Sequence, residues 1–371
     1  MKTSRRRFIA ATGSLLAAAP VAALEAQPVA SGDKSPASPP QHVPIIDCQS
    51  HLFSPEIVVL MAKRQTDPRV FTKEGVRYVQ MGDWLRKIPP HYLDVDAKLA
   101  AMDANGITMT ALSVNDPGPE WFGGDGAAVA RTMNDYIANI VKQHPTRFVG
   151  LCVLPLPDMK ASLAELDRCV RQLGMMGILL YTNLAGRFPD EPEFRLLFTR
   201  AVELDVPVFL HPAKPVTLEF VKGYEMTSSL GNMFDNTIAL TRLILSGLLD
   251  ELPELKLVCP HLGGTLPYII GRLDHQTQVL KRGPKNLRRA PSQYLKQVWL
   301  DVASPLPAAI RLAHELVGPE RLLFASDHPW VDPRLILSSL RGTQLPAADQ
   351  QRILSDNARQ LFQLKDEPWQ R

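Results

Sequence analysis

Eight short apolar runs, separated by segments with helical spacing, predict an α/β fold: a closed (β/α)8 barrel of the TIM-barrel class. Two further observations agree. The chain has 371 residues and is 45% hydrophobic, enough for one barrel of roughly 250 residues with insertions. Polar residues also fall at the C-terminal ends of several runs, where barrels gather their functional groups. An open doubly wound sheet of six or seven strands is the competing architecture. No GxGxxG or P-loop pattern supports nucleotide binding.

The first run, Ile45-Ile46-Asp47-Cys48-Gln49-Ser50-His51, opens with β-branched residues and is closed by Phe53-Ser54-Pro55. Side chains alternate along a strand, so Asp47, Gln49 and His51 share a face. Three polar groups there are costly unless they bind something or satisfy one another. Pro55 to Pro90 lacks a strong period and reads as a long loop with helical pieces over the site. Leu93 to Asn105 is amphipathic and stops at Gly106. The remaining strands are Ile107–Val114, Phe148–Leu154, Met176–Tyr181, Val206–Leu210, Leu255–Cys259, Val298–Val302 and Leu322–Ala325. Helical spacing covers Asp125–His144, Met159–Leu173, Glu193–Leu204, Asn236–Leu249 and Leu306–Val317.

Three domain-level segments are expected: 1–26, 27–42 and 43–371. In the first, Ser4-Arg5-Arg6-Arg7-Phe8-Ile9 precedes the apolar run Ala10 to Ala23. This resembles a bacterial twin-arginine export signal, and it implies a periplasmic protein. The run is short for a membrane span of roughly 20 residues, so no membrane association is expected once the signal is removed. Residues 27–42 are rich in Pro, Ser and Ala and read as a disordered linker. Lys2, Arg5, Arg6 and Arg7 against Glu25 account for the whole chain's +3. The remainder is near neutral, which gives no basis for a nucleic-acid partner. Cys48, Cys152, Cys169 and Cys259 sit in apolar strands or a helix without CxxC spacing, and are expected as buried free thiols.

The strand ends carry the chemistry. They supply Gln49 and His51, then Tyr181-Thr182-Asn183, His211-Pro212, His261-Leu262-Gly263-Gly264, and Ser326-Asp327-His328-Pro329. Three histidines and an aspartate converging on one barrel end suit a divalent transition metal, zinc first and manganese second. Trp330 and the pair Trp121-Phe122 are either pocket walls or anchors on the barrel rim.

In combination, Asp47-x-Gln49-x-His51, His211-Pro212, the stretch His261 to Arg272, and Ser326-Asp327-His328-Pro329 make the chain similar to the amidohydrolase superfamily. The similarity covers about residues 43–364, and its branch contains aminocarboxymuconate-semialdehyde and γ-resorcylate decarboxylases. Asn357-Ala358 matches the closing helix of that branch. The resemblance implies a metal-dependent barrel in which His51, His211 and Asp327 are metal ligands, with Gln49 as a further candidate. It gives His261 and Asp327 catalytic roles, and Arg272 a grip on the substrate carboxylate. Because Arg272 comes from the neighbouring subunit in some relatives, a homodimer is implied. Asn183 and Trp330 are further candidate substrate contacts. Gln49 departs from the family's usual His or Glu.

The function implied is non-oxidative decarboxylation of a small carboxylated substrate. A hydrolase of an amide, lactone or ester would use the same residues. A periplasmic binding protein that has lost catalysis is the third reading, and Gln49 is its sole support.

Overall fold

A computed structural model describes residues 43–365. The expected signal and linker lie outside the described residues. Eleven strands form two sheets, β1 (Ile45–Leu52), β2 (Arg69–Lys73), β3 (Val76–Met81), β4 (Trp84–Lys87), β5 (Ile107–Val114), β6 (Phe148–Cys152), β7 (Gly177–Tyr181), β8 (Val208–His211), β9 (Leu257–Cys259), β10 (Trp299–Asp301) and β11 (Leu322–Leu323). The larger sheet is parallel and runs β1-β5-β6-β7-β8-β9-β10-β11. These are the eight strands that the apolar runs predict. The sheet closes on itself after β11: Cys48 N donates to Phe324 O, Asp327 N to Gln49 O, and His51 N to His328 O, at 2.8–3.0 Å. A barrel therefore replaces the open-sheet alternative.

The closure explains why the strands read as unbroken apolar runs. Each is covered by helices outside and by packed side chains inside, so Ile46, Cys48, Leu112, Val258 and Leu323 are all essentially inaccessible. Truncating one of them to alanine would cost about 2–5 kcal/mol if it is a leucine or isoleucine. All four cysteines are free and buried, as expected. Helices at Val95–Ala104, Gly126–Gln143, Met159–Arg171, Arg195–Glu203, Asn232–Leu245 and Pro307–Val317 occupy the segments with helical spacing. Asp94 and Asp158 cap two of them by accepting backbone N–H bonds. The closing helix is tied to the last strand by Asn357, whose Nδ2 lies 2.7 Å from both Pro319 O and Leu322 O. Among the described residues, no helix is long and apolar enough to cross a membrane.

The segment Pro55 to Pro90 corrects the expectation of a loop. After a helix at Pro55–Ala62 it forms the antiparallel sheet β2-β3-β4. Lys73 pairs with Val76 across Glu74-Gly75, and both turn residues have positive φ. Met81 pairs with Trp84 across Gly82-Asp83, with Gly82 at φ 60°. Two-residue turns with positive φ match the twist of a hairpin. Their Gly-containing dipeptides were the available signal; short strands with charges on one face hid the period. This sheet delivers Trp84 and Arg86 to the barrel mouth.

Candidate metal and catalytic site

The C-terminal ends of β1, β8, β9 and β11 bring together His51, His211, His261 and Asp327. Nε2 of His51 lies 3.4 Å from Asp327 Oδ1, and Nε2 of His211 lies 4.0 Å from the same oxygen. Nε2 of His261 lies 3.4 Å from Asp327 Oδ2. Among the described residues, His51, His211 and Asp327 form a group whose donor atoms all lie within 4.8 Å of one another. The predicted face of β1 is also realised. Asp47 accepts from Ser326 N and Oγ, which pins β1 to the turn carrying Asp327. Gln49 and His51 point into the cluster.

The donor set fits a divalent cation. Neither ring nitrogen of His211 has a hydrogen-bond partner, although the residue is buried. A buried imidazole is rarely left so. His51 Nδ1 lies 2.7 Å from Ser113 Oγ, a bond that orients Nε2 toward the cluster. Burial, and then His211 beside it, push the His51 pKa down to about 4, so the ring is neutral near neutral pH, the form that can ligate a metal. Burial would raise the Asp327 carboxyl, but the imidazoles of His211, His261 and His51 outweigh it and hold the carboxyl well below its ordinary range. Gln49 Nε2 is 3.2 Å from Asp327 Oδ1 and 3.4 Å from His51 Nε2, while Gln49 Oε1 is buried without a partner.

The cluster opens into a cavity of about 480 Å³. Trp84, Trp330, Met233 and Val331 supply apolar lining; His211, His261 and Asp327 stand at the reacting end; Arg86 is the cationic group. Arg86 donates to Asp116 Oδ1 at 2.7 Å and Asp116 O at 3.0 Å. Its guanidinium lies over the rings of Trp84 and Trp330, 4.1 and 5.1 Å from their centroids. Sequence reading passed over Arg86 because it sits in the segment mistaken for a loop. Asp301 was also missed: it ends β10, its Oδ1 accepts from His261 N at 2.8 Å, and its position after an apolar pair was the signal.

Other expected residues fall elsewhere. Trp330 is in the cavity, and its Nε1 donates to Asn115 Oδ1. Asn183 does not line the cavity. Its Nδ2 bonds Lys214 O and Asp235 Oδ2, and its Oδ1 accepts from Gly186 N. That is a structural role, fixing the β7 and β8 loops. Arg272 is exposed in a separate surface groove with Ile269, His275 and Arg282, so its own chain does not bring it to the cavity. His328 faces away from the cavity lining and meets the buried Lys98 Nζ at 2.6 Å. Phe122 is a core anchor, and Trp121 packs beside Met81, Trp84 and Leu218.

The sequence profile of the Amidohydrolase family matches residues 46–364, almost all of the described barrel. The chain belongs to the amidohydrolase family. γ-Resorcylate decarboxylase of a Rhizobium species is 30% identical over 299 residues, covering 76% of this chain and 91% of that protein. The 2-amino-3-carboxymuconate-6-semialdehyde decarboxylase of Dictyostelium discoideum is 26% identical over 297 residues, covering 76% and 80%. A dihydroxybenzoic acid decarboxylase from Polaromonas, solved with manganese and the inhibitor 2-nitroresorcinol, superposes with a TM-score of 0.74 at 26% identity. That match covers 88% of this amidohydrolase and 98% of the Polaromonas chain.

Proposed function

We propose that this amidohydrolase is a metal-dependent, non-oxidative carboxy-lyase of small aromatic acids. The observation that carries the reading is the pairing, in one aromatic-walled cavity, of a guanidinium with the His51–His211–Asp327 donor set. His51, His211 and Asp327 would hold the ion, with Gln49 turned to present Oε1. Once a cation takes the Nε2 lone pair of His51, the Gln49 amide nitrogen loses that acceptor, and the unpartnered oxygen is the better face. The imidazole donors favour zinc, and manganese is the ion bound in the Polaromonas relative. Bound there, the ion would supply Lewis-acid charge to a substrate oxygen.

The chain's own residues do the rest. Arg86 holds an anionic oxygen of the substrate, and Trp84 and Trp330 flank the ring. The bond between the ring carbon and the carboxylate breaks, its electron pair stays on the ring carbon, and CO₂ leaves. That carbon must take up one proton. Asp327, whose Oδ2 faces His261 Nε2, passes it to that carbon. Burial would lower the His261 pKa, but Asp327 and Asp301 raise it above the ordinary histidine value.

The purified protein, loaded with zinc or manganese, is to be offered a panel of hydroxybenzoates alongside lactones and aryl esters. Release of CO₂ from an acid supports the reading. Turnover confined to the lactones or esters would replace it with hydrolysis. We further propose a homodimer in which Arg272 reaches the other subunit's cavity. Sedimentation velocity tests the assembly, and inactive R272A mixed with an inactive cavity variant would regain activity if the arginine acts across subunits. Export rests on the arginines of Arg5-Arg6-Arg7: replacing all three by lysine should leave the protein in the cytoplasm.

A further inference from the structure

Asn236 lies on the Asn232–Leu245 helix, fully buried behind His261 and away from the cavity lining. Its Nδ2 is 3.3 Å from Pro260 O and 3.0 Å from His261 Nδ1. A carbonyl oxygen accepts and never donates, so the atom facing Pro260 O must be the amide nitrogen. The second hydrogen of the same NH₂ group then points at His261 Nδ1, and that nitrogen must offer a lone pair. The opposite amide orientation sets Oδ1 against Pro260 O, two buried acceptors facing each other. Either way one amide atom is left without a protein partner, and in the favourable orientation it is Oδ1. A neutral imidazole carries one hydrogen, so His261 carries it on Nε2, facing Asp327 Oδ2.

The backbone is fixed independently. His261 and Leu262 have φ of 53° and 58°, a left-handed conformation that side chains disfavour. Asp301 Oδ1 holds it by accepting from His261 N at 2.8 Å and Ala303 N at 3.1 Å. The ring thus has its position set by Asp301 and its hydrogen set by Asn236.

We propose that Asn236 is a positioning residue that fixes His261 as the Nε2–H tautomer, making it a hydrogen-bond donor into the cavity and not a base. This deepens the carboxy-lyase reading and rests on it for its catalytic meaning. A ring with hydrogen on Nε2 has no lone pair there with which to take a proton from water, as a hydrolytic base must. It can donate to Asp327 Oδ2 or to a substrate oxygen, and it leaves Asp327 as the group that passes the proton to carbon. With an amide N–H behind it, Nδ1 offers no relay, so protons enter from the cavity side.

Neutron diffraction from deuterium-exchanged crystals of the zinc-loaded protein at neutral pD reads the tautomer directly. Deuterium on Nε2 alone, with both Asn236 deuterons aimed at Pro260 O and His261 Nδ1, is the expected result. Deuterium on Nδ1 overturns the proposal. A second readout separates positioning from mere structure. Asn236→Asp supplies an acceptor and draws the hydrogen to Nδ1, whereas Asn236→Leu keeps the volume without a preference. Asn236→Asp is expected to lower kcat about 10- to 100-fold, with zinc content and affinity for an unreactive nitrophenol unchanged. Equal losses in kcat, metal content and affinity would mean that Asn236 only packs. If no carboxylate is turned over by the wild-type protein, the carboxy-lyase reading fails, and the neutron map still decides the tautomer.

Discussion

Asp327 concentrates three tasks in one side chain. It faces His51 and His211 through Oδ1 and His261 through Oδ2, and its backbone sits at φ 58°. Such a residue costs about 1–3 kcal/mol of strain and persists where the surroundings dictate it. Here the Asp327 N–H to Gln49 O bond and the Asp47–Ser326 bonds do so. Asp327→Asn is expected to lower kcat about 100- to 10,000-fold in a CO₂-release assay and to reduce metal content by elemental analysis. Unchanged turnover would remove Asp327 from the reaction. Gln49→His should raise affinity for zinc, read by chelator competition, because imidazole nitrogen is the stronger donor. An affinity unchanged in both Gln49→His and Gln49→Ala would show that Gln49 stays outside the ligand shell. Glu120 contributes to the pH dependence of stability. Burial, with Asp116 nearby, lifts its pKa from 4.5 to about 8. Between those values the folded chain holds a proton that the unfolded chain releases, so this contribution is full below pH 4.5 and is lost as pH rises through 8. Thermal melts of Glu120→Gln should match wild type near pH 5 and lie about 3–5 °C above it near pH 8.5. A difference that does not vary with pH would sink the assignment.

At the scale of elements, the barrel presents His51, His211, His261 and Asp327 from four separate strands, whereas the β2-β3-β4 sheet presents Arg86. The two contributions are separable. Arg86 is held by a buried ion pair with Asp116 and by its contacts with the rings of two tryptophans. Arg86→Lys keeps the charge but loses the planar fork and the stacking. It is expected to raise KM for the acid at least about tenfold, with metal content intact. A changed kcat at constant KM would mean that Arg86 acts on the transition state instead of on binding.

For the whole molecule, metal binding and folding are linked. The site is built from His51 of β1, His211 of β8 and Asp327 beyond β11, far apart in sequence, so it exists in the folded chain and not in the unfolded one. An ion at about a hundred times its Kd would stabilise the fold by about 2.7 kcal/mol. EDTA should therefore lower the melting temperature by about 5 °C, and zinc should restore it. Identical melts with and without EDTA would mean that no ion is held.

The strand count and the candidate ligand residues were legible because each rests on local pattern. Eight apolar runs follow from burial on both faces, and His51, His211, His261 and Asp327 follow from their place at the ends of those runs. What tertiary structure decided is which of the polar residues face the same space. Asn183 and His261 look alike in sequence, each polar and just past a strand. Asp235 and Lys214 O take up the amide of Asn183, while Asn236 and Asp301 turn His261 inward. Arg86 has no sequence mark at all, since its role depends on a hairpin sheet folding across the barrel mouth and on Asp116 meeting it there. Periodicity reports burial along one element; the direction of a buried polar group is set by partners that only the closed barrel brings within hydrogen-bond reach.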